Sequence, residues 1–317
     1  MMSRILGNHP NVFSFQELHY FDEIMPPAKA NHEITGERAI KQYATLMAIQ
    51  RNGYFGSRNT DAFLDEAGDE IGKAGSLTHI SLLQLFLNNE AARNGKSIPC
   101  EQTPQTIFAA ADILKNLAGS KIIVMVRDPR AVLFSQKYKW KRRSLSGGKI
   151  PFWEMVRSRV NYHPITISKI WRSVMTEAGK LSQHPKVLFV KYEDLIAKPE
   201  DVIRQVCAFA EIEFVKEMTD IPVVGSSASS DNPSQRGIDS SKKEQWQSGG
   251  LTDAEISLCQ SINATLMQEY GYDIKDVNAS PAALFTLRLL FPFRLAFAAL
   301  FNLKRLKDPT KVIQKLR

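Results

Sequence analysis

The sequence predicts an α/β fold in which helices cover a doubly wound parallel sheet. The runs KIIVMV at 121–126 and VLFV at 187–190 are short and almost wholly apolar, which is typical of strands buried on both faces. Each run is followed at once by a helix-forming stretch. Strands that alternate with helices in this way form parallel sheets.

The remaining elements follow from apolar spacing and from glycine and proline positions. Met2, Ile5 and Leu6 have helical spacing, and Gly7 stands where a C-terminal cap glycine is expected. A long Ser- and Gly-rich loop is predicted over 221–250. Further strands are predicted at 11–15 and 97–100, and further helices at 37–51, 61–73, 79–94, 105–118, 253–270 and from Pro199.

Composition sets the broad class of the protein. The chain has 317 residues, 44% of them hydrophobic, which is enough for one large or two modest domains. The three cysteines, Cys100, Cys207 and Cys259, are far apart and lack metal-ligand spacing, so neither a disulfide framework nor a zinc site is expected. The first twenty residues also lack a signal-peptide pattern. A reducing cytoplasm is the expected location.

The net charge of +8 is concentrated in two clusters. Residues 137–149 hold six basic side chains and no acid, and residues 304–317 hold six basic side chains against one acid. Such patches can attract nucleic acid. The sequence contains no helix-turn-helix, zinc-finger or aromatic RNA-binding pattern, so nucleic acid is not an expected partner.

The stretch VMVRDPRAVLFSQKYKW predicts an anion site where a strand passes into a helix. Arg127 ends the strand, Asp128 is a good N-cap, and Pro129 suits the first helical position. Ser135 lies eight residues on, about 80° around the helix. An arginine fork and a hydroxyl suit a phosphate monoester. In the alternative interpretation, Arg127 pairs with a nearby carboxylate and Ser135 packs as a small residue.

Four segments together carry a resemblance to a known family. RDPRAVLFS resembles the 3′-phosphate-binding segment of sulfotransferases that use 3′-phosphoadenosine 5′-phosphosulfate (PAPS). VLFVKYEDLIAKPEDVIRQVCAFAEI, KKEQWQSGGLTDAEI and HPNVFSFQELHYFD are similar to three further segments of that family, in the same order. The resemblance covers roughly residues 2–275 and implies a three-layer, P-loop-like sulfotransferase domain. Residues 276–317 then form a separate apolar and basic helical tail.

The resemblance implies that PAPS is the sulfuryl donor and that no metal is required. The residues that it assigns to the donor are Arg127, Ser135, Tyr192, Lys242, Lys243 and Trp246. Arg127 and Ser135 would hold the 3′-phosphate, Tyr192 would lie beside the adenine, and Trp246 would close over the donor. As alternatives, Tyr192 is a half-buried tyrosine at a strand end, and the two lysines are solvated loop charges.

The resemblance also assigns a general base for the acceptor proton. Glu17 matches the family's catalytic glutamate, and an apolar surround from the neighbouring phenylalanines would raise its pKa toward the useful range. His19 is the competing base, since imidazole needs no such tuning. Alternatively, Glu17 is a structural ion-pair partner. The acceptor class stays open among glycans, lipids, tyrosines and small molecules with a hydroxyl or an amine.

The sequence departs from the family at its start and at one internal position. The family's first strand and its 5′-phosphosulfate loop would precede residue 2, and Gln102 stands where a lysine is common. The expected function is sulfuryl transfer, and the alternative, because that loop is absent, is an inactive nucleotide-binding or scaffold protein of the same fold. A nucleotide kinase is a weaker alternative, because the sequence contains no GxxxxGK[ST] loop.

The tail from 284 to 303 has 15 apolar residues in 20. Arg288 and Arg294 disfavour a membrane-spanning helix, and Pro292 is expected to break the helix. With the basic residues that follow, the segment is also suited to an anionic membrane surface. The remaining alternative is packing onto its own domain or onto a second subunit of a homodimer.

Overall fold

The computed structural model describes residues 1–25, 30–53, 56, 59–142, 144–145, 148–223, 232–238 and 245–303. Within these ranges the helices are α1 Met2–Gly7, α2 Gly36–Asn52, α3 Leu64–Lys73, α4 His79–Arg93, α5 Ala110–Asn116, α6 Pro129–Tyr138, α7 Phe152–Asn161, α8 Pro164–Gly179, α9 Tyr192–Ala197, α10 Pro199–Ala210, α11 Asp253–Glu269 and α12 Pro281–Phe301. The strands are β1 Val12–Ser14, β2 Glu33–Ile34, β3 Leu77–Thr78, β4 Ile98–Cys100, β5 Ile122–Val126, β6 Ser144–Leu145, β7 Gly148–Lys149, β8 Val187–Lys191, β9 Pro222–Val223 and β10 Asn232–Arg236.

The longer-range strand pairs are parallel. β1 runs parallel to β4, with Val12 opposite Ile98. β5 pairs with β8, and the two run in the same direction, because the Ile122 N–H at the start of β5 donates to the Lys186 carbonyl just before β8. The pairs β2–β3, β6–β7 and β9–β10 are antiparallel. The predicted α/β class with parallel strands is confirmed.

The chain forms two compact units. Unit 1 comprises Met1–Val124, Gln183–Leu188 and Pro199–Ile221. Its core is built on side chains from α2 and α4 together with the segment after β1, and its fully buried members include Leu18, Leu46, Met47, Leu82 and Phe86.

Unit 2 comprises Met125–Ser182, Phe189–Lys198 and Pro222–Arg317. Its buried cluster joins α6 to α11 and to the short 3-10 helix at Gln245–Ser248. The buried members are Ala131, Leu133, Trp246, Leu251, Ile256 and Cys259.

The first helix ends differently from the prediction. α1 is followed by Asn8 in the right-handed conformation, so Gly7 is the last helical residue and not a left-handed cap. A Cβ atom on Gly7 would lie 2.8 Å from the Cβ of Ser14 in β1. Glycine therefore allows β1 to pass close to the end of α1.

Two predicted helices contain 3-10 segments at their starts. The predicted 61–73 helix divides into a 3-10 turn at Asp61–Phe63 and α3, and the predicted 105–118 helix into a 3-10 segment at Pro104–Ala109 and α5. In the second case the Thr106 N–H donates to the Thr103 carbonyl, which is the tighter i to i+3 pattern.

β5 is less buried than its sequence predicts. Val124 and Val126 are buried, but Ile122, Ile123 and Met125 are partly exposed. Within the described residues β5 has one strand partner, β8. A strand with one neighbour is covered less fully than a central strand, which accounts for the difference.

α12 runs through Pro292 without a break, so the expected interruption there is wrong. The helix packs against α7, α8 and α11, and these contacts hold it on both sides of the proline. Its 21 residues are long and apolar enough to cross a membrane by length and composition. The boundary predicted at 275/276 between domain and tail stays a prediction.

Candidate active site

The predicted donor residues Arg127 and Tyr192 are brought together in unit 2. Arg127 directly follows β5, and Tyr192 directly follows β8. The guanidinium carbon of Arg127 lies 4.2 Å from the centre of the Tyr192 ring. The Nε of Arg127 is buried and has no hydrogen-bond partner among the described residues. A buried, unpaired guanidinium N–H is costly, so this atom fits an anionic ligand.

The turn after β5 is held by a carboxylate that the sequence reasoning missed. Glu193 accepts the Asp128 N–H through Oε1 at 3.0 Å. Its Oε2 accepts the Tyr272 hydroxyl at 2.9 Å. The Trp171 Nε1 donates to the Arg127 carbonyl at 3.0 Å. The available sequence signal for this role of Glu193 was its position next to Tyr192 at the end of a predicted strand.

Asp128 caps α6 as predicted, but it does not pair with Arg127. Its side chain accepts the Arg130 N–H at 2.8 Å. It also forms a buried ion pair with the Arg130 guanidinium, at 2.7 Å. The alternative in which Arg127 pairs with Asp128 is therefore not what the structure shows.

Trp246 lies in the core of unit 2. It is 5% exposed, with the Arg130 guanidinium carbon 4.3 Å and the Lys275 Nζ 5.0 Å from the ring centre. Arg130 Nη1 also donates to Gln260 Oε1 at 2.8 Å. The ring supports Arg130, and through it the first turn of α6. The predicted contact of Trp246 with the donor stays a prediction.

The other predicted donor residues are Ser135, Lys242 and Lys243. Ser135 lies in α6 and is partly buried, in the second turn after the Asp128 cap. Lys242 and Lys243 lie outside the described residues.

In unit 1 the two candidate bases form one charged cluster. His19 Nε2 lies 3.4 Å from Glu17 Oε2, and His19 Nδ1 lies 3.0 Å from Asp22 Oδ2. His19 adopts a left-handed conformation, with φ 52°, directly before a π-helical turn at Tyr20–Ile24. Burial alone would lower the pKa of His19, but Asp22 and Glu17 outweigh it and raise that pKa to about 9.

These contacts change the chemistry expected of both residues. His19 is protonated at neutral pH, so it is a cation and not the ready base that its ordinary pKa predicts. The Glu17 side chain is 40% exposed and faces this imidazolium. The neighbouring Phe15 and Tyr20 are buried in the core of unit 1, and the expected apolar surround of Glu17 stays a prediction.

Thr103 and Glu101 support the backbone of His19 through two successive hydrogen bonds. The His19 N–H donates to Thr103 Oγ1 at 3.1 Å, and the Thr103 hydroxyl donates to Glu101 Oε1. Burial raises the pKa of Glu101, although bonds from Thr103 oppose the shift. Gln102, found in place of the family's lysine, accepts the Ser3 hydroxyl at 2.8 Å. This hydrogen bond connects the Gln102 side chain to α1.

Within the described ranges, no group of three or more His, Cys, Asp and Glu side chains is placed to hold a metal ion. The described cysteines are all free thiols.

Parallel strands that lead straight into helices, with a buried arginine Nε at a strand end that lacks a partner among the described residues, are typical of α/β proteins that bind anionic groups. The chain belongs to the sulfotransferase family: the family model matches residues 1–216. This range includes Glu17, His19, Arg127, Ser135 and Tyr192. The protein is therefore a sulfotransferase, which transfers a sulfuryl group to an acceptor substrate.

Two solved sulfotransferase domains resemble the structure. The domain from the olefin synthase of Synechococcus PCC 7002 is 17% identical, with a TM-score of 0.51, over 86% of this chain and 90% of that one. The domain from the curacin biosynthetic pathway is 19% identical, with a TM-score of 0.49, over 86% of this chain and 93% of that one. The first likeness supports the fold. No curated protein sequence matches the chain.

Proposed function

We propose that the sulfuryl donor is PAPS and that Arg127, Ser135 and Tyr192 bind its 3′-phosphoadenosine part. The observation that carries the proposal is the buried Arg127 Nε, which lacks a hydrogen-bond partner among the described residues. A phosphate oxygen would supply that partner through a charge-assisted hydrogen bond. Tyr192 supports the other side of the guanidinium by stacking at 4.2 Å.

The start of α6 favours the same assignment. The positive end of its dipole attracts a negative group, although Pro129 has no N–H to donate and the Arg130 N–H is already used by the Asp128 cap. Ser135 supplies a hydroxyl further along α6. Lys242 and Lys243 are proposed to add positive charge, on the basis of the sequence resemblance alone.

For the transfer step we propose Glu17 as the acceptor of the substrate proton. The acceptor oxygen or nitrogen forms a bond to sulfur while the bond from sulfur to the phosphate oxygen of PAPS breaks. The acceptor proton passes to the Glu17 carboxylate, and 3′-phosphoadenosine 5′-phosphate (PAP) leaves. His19 is proposed to hold the carboxylate in place through the contact of 3.4 Å. The acceptor is a hydroxyl or an amine of a glycan, a lipid, a tyrosine or a small molecule.

The donor assignment is tested by calorimetric titration of PAP into the full chain. We expect Arg127→Ala to weaken PAP binding by about 10- to 100-fold, since a charge-assisted bond is lost. The matched control is Arg204→Ala: Arg204 also stacks on an aromatic ring, that of Phe214, at 4.0 Å, but is 56% exposed on α10. Equal PAP affinity in the unaltered chain and in Arg127→Ala would refute the assignment.

The transfer activity is tested by release of PAP from PAPS in the presence of a panel of glycan, lipid, tyrosine-peptide and phenol acceptors. Release that depends on one acceptor class identifies that class. Binding of PAP without release on any acceptor would favour the alternative, an inactive nucleotide-binding protein. These two measurements separate donor binding from catalysis.

A further inference from the structure

Helix α12 presents a broad apolar face to solvent. The exposed fractions of its large side chains are 65% for Phe285, 53% for Leu289, 69% for Phe293, 52% for Phe297 and 64% for Leu300. At 100° per residue these five side chains fall within an arc of about 120°. A contiguous exposed apolar face of this kind marks an interaction site. We refer to it as the outer face of α12.

The opposite side of α12 is packed on unit 2. Most of its partly buried positions share one stripe, namely Leu284, Leu287, Phe291, Leu295 and Ala298. This stripe is centred about 180° from the outer face. The Phe291 ring lies 5.2 Å from the ring of His163, which is 6% exposed, and Asn302 donates to Asn161 Oδ1 at 2.8 Å. The helix is thus attached along one side and apolar along the other.

The charges on α12 lie at the borders between these two sides. Arg288 and Arg294 project about 60° to either side of the packed stripe, so each is about 120° from the centre of the outer face. No acidic residue occurs between Asp276 and Asp308. Directly after the helix, residues 304–317 carry six basic residues and one acidic residue. The outer face is therefore bordered and followed by positive charge.

We propose that α12 lies in the plane of an anionic lipid membrane, with its outer face buried at the boundary between headgroups and acyl chains. The bordering arginines then reach lipid phosphates, and the basic residues 304–317 add attraction to anionic headgroups. A spanning orientation conflicts with the packed side, because α12 would have to leave His163 and Asn161 to enter the bilayer. Residues 276–317 act in this proposal as a membrane-docking tail.

The same charges disfavour a second copy of the chain as the occupant. In an antiparallel pair of outer faces, Arg288 and Arg294 would each project about 120° away from the partner helix and would meet no acidic side chain on it, because α12 contains none. An anionic membrane surface complements both charges.

The test is sedimentation of the full chain with phosphatidylcholine vesicles, with or without phosphatidylserine. The altered chain carries Phe293→Asp and Phe297→Asp on the outer face, and the matched control carries Phe293→Leu and Phe297→Leu. Both residues are about half exposed or more, so neither change removes core packing. Circular dichroism melting checks the fold, and light scattering measures the oligomeric state.

We expect the unaltered chain and the leucine control to bind vesicles that contain phosphatidylserine, and the aspartate variant to bind at least about tenfold less. Added salt should weaken the binding. Equal binding by the aspartate and leucine variants overturns the proposal, as does binding that is unchanged without phosphatidylserine. The proposal is also overturned if the chain does not bind vesicles but forms a dimer that the aspartate changes dissociate. That result would assign the outer face of α12 to contact with a second copy.

Discussion

The guanidinium of Arg127 stacks on the ring of Tyr192 at 4.2 Å, although the two residues are 65 positions apart in the chain. Each residue directly follows a strand, and β5 and β8 pair in the same direction, so the strand ends deliver both side chains to one place. The ring face attracts the cation and orients its plane. The edge of the guanidinium then stays available for an anion.

This stack predicts how Tyr192 substitutions affect PAP binding. Tyr192→Ala removes the ring that orients Arg127, and we expect PAP affinity to fall about tenfold, in line with a cation–π contact of 1 kcal/mol or more. Tyr192→Phe keeps the ring face and should change the affinity less than about twofold. Calorimetric titration of PAP measures both. A large loss in Tyr192→Phe would show that the hydroxyl, and not the stacked ring, is the important group.

Glu17→Gln tests the proposed base. The amide keeps the size of the side chain but cannot take a proton, so we expect kcat to fall by about 10²-fold or more. PAP affinity should stay within about twofold, because Glu17 is not among the proposed donor residues. The measurement is PAP release with a saturating acceptor, together with PAP titration.

The matched control for Glu17→Gln is Asp22→Asn. Asp22 contacts the other nitrogen of His19, at 3.0 Å, but is not assigned the proton. We expect a smaller loss of kcat in Asp22→Asn than in Glu17→Gln. Near-full turnover in Glu17→Gln, or an equal loss in both variants, would show that Glu17 acts at most by positioning.

Local signals predicted much of the fold. The β-branched runs at β5 and β8, the Asp128-Pro129 helix start and the positions of β1 and β4 all follow from residue type and spacing. The course of α12 could not be predicted in this way, because packing along α7, α8 and α11 overrides the local effect of Pro292. Likewise, the need for glycine at position 7 arises from β1, a separate element.

The candidate site shows the same division between local and long-range effects. Sequence reasoning predicted that Arg127 and Tyr192 lie near one ligand. The sequence around Glu17 and His19 gave no sign that Asp22 would also contact the imidazole and keep His19 charged. Nor did the sequence show that Trp246 would stack on Arg130, more than a hundred positions earlier. Side-chain partners of this kind depend on tertiary packing and not on spacing.

Glu193 is predicted to hold the turn that carries Arg127. Glu193→Ala leaves the Asp128 N–H and the Tyr272 hydroxyl without their acceptor, and we expect unfolding free energy to fall by about 1–3 kcal/mol, with weaker PAP binding. Glu193→Gln should keep most of the unfolding free energy and most of the PAP affinity, because its amide can accept from the Asp128 N–H and donate to the Tyr272 oxygen. Urea unfolding and PAP titration measure the two effects. Equal PAP affinity in Glu193→Ala would contradict a role in positioning Arg127.

Gly7→Ala tests the close approach of α1 and β1. The added Cβ would lie 2.8 Å from the Ser14 Cβ, so backbone must shift, at a cost of about 1–3 kcal/mol. The matched control is Gly72→Ala in α3, where nothing lies within 4 Å of the new Cβ, and where a helical alanine should stabilise by about 0.5–1 kcal/mol. Urea unfolding of the two variants should therefore shift in opposite directions.

The cluster of Glu17, His19 and Asp22 predicts a pH dependence of stability. The pKa of His19 is raised from its ordinary 6.5 to about 9 in the folded chain. The folded state therefore binds the extra proton more tightly than the unfolded state does. The resulting stabilisation, about 3 kcal/mol, is complete below pH 6.5 and is lost as the pH rises through 9.

The pKa of His19 can be measured directly by NMR titration of its imidazole. Asp22→Asn removes one of the two carboxylates that raise the pKa, so we expect the midpoint to move down from about 9, and the loss of stability at high pH to become smaller. A His19 midpoint near 6.5 in the unaltered chain would show that the imidazole is not held as a cation. His19 would then regain the role of a competing base, and Glu17→Gln would be expected to retain substantial turnover.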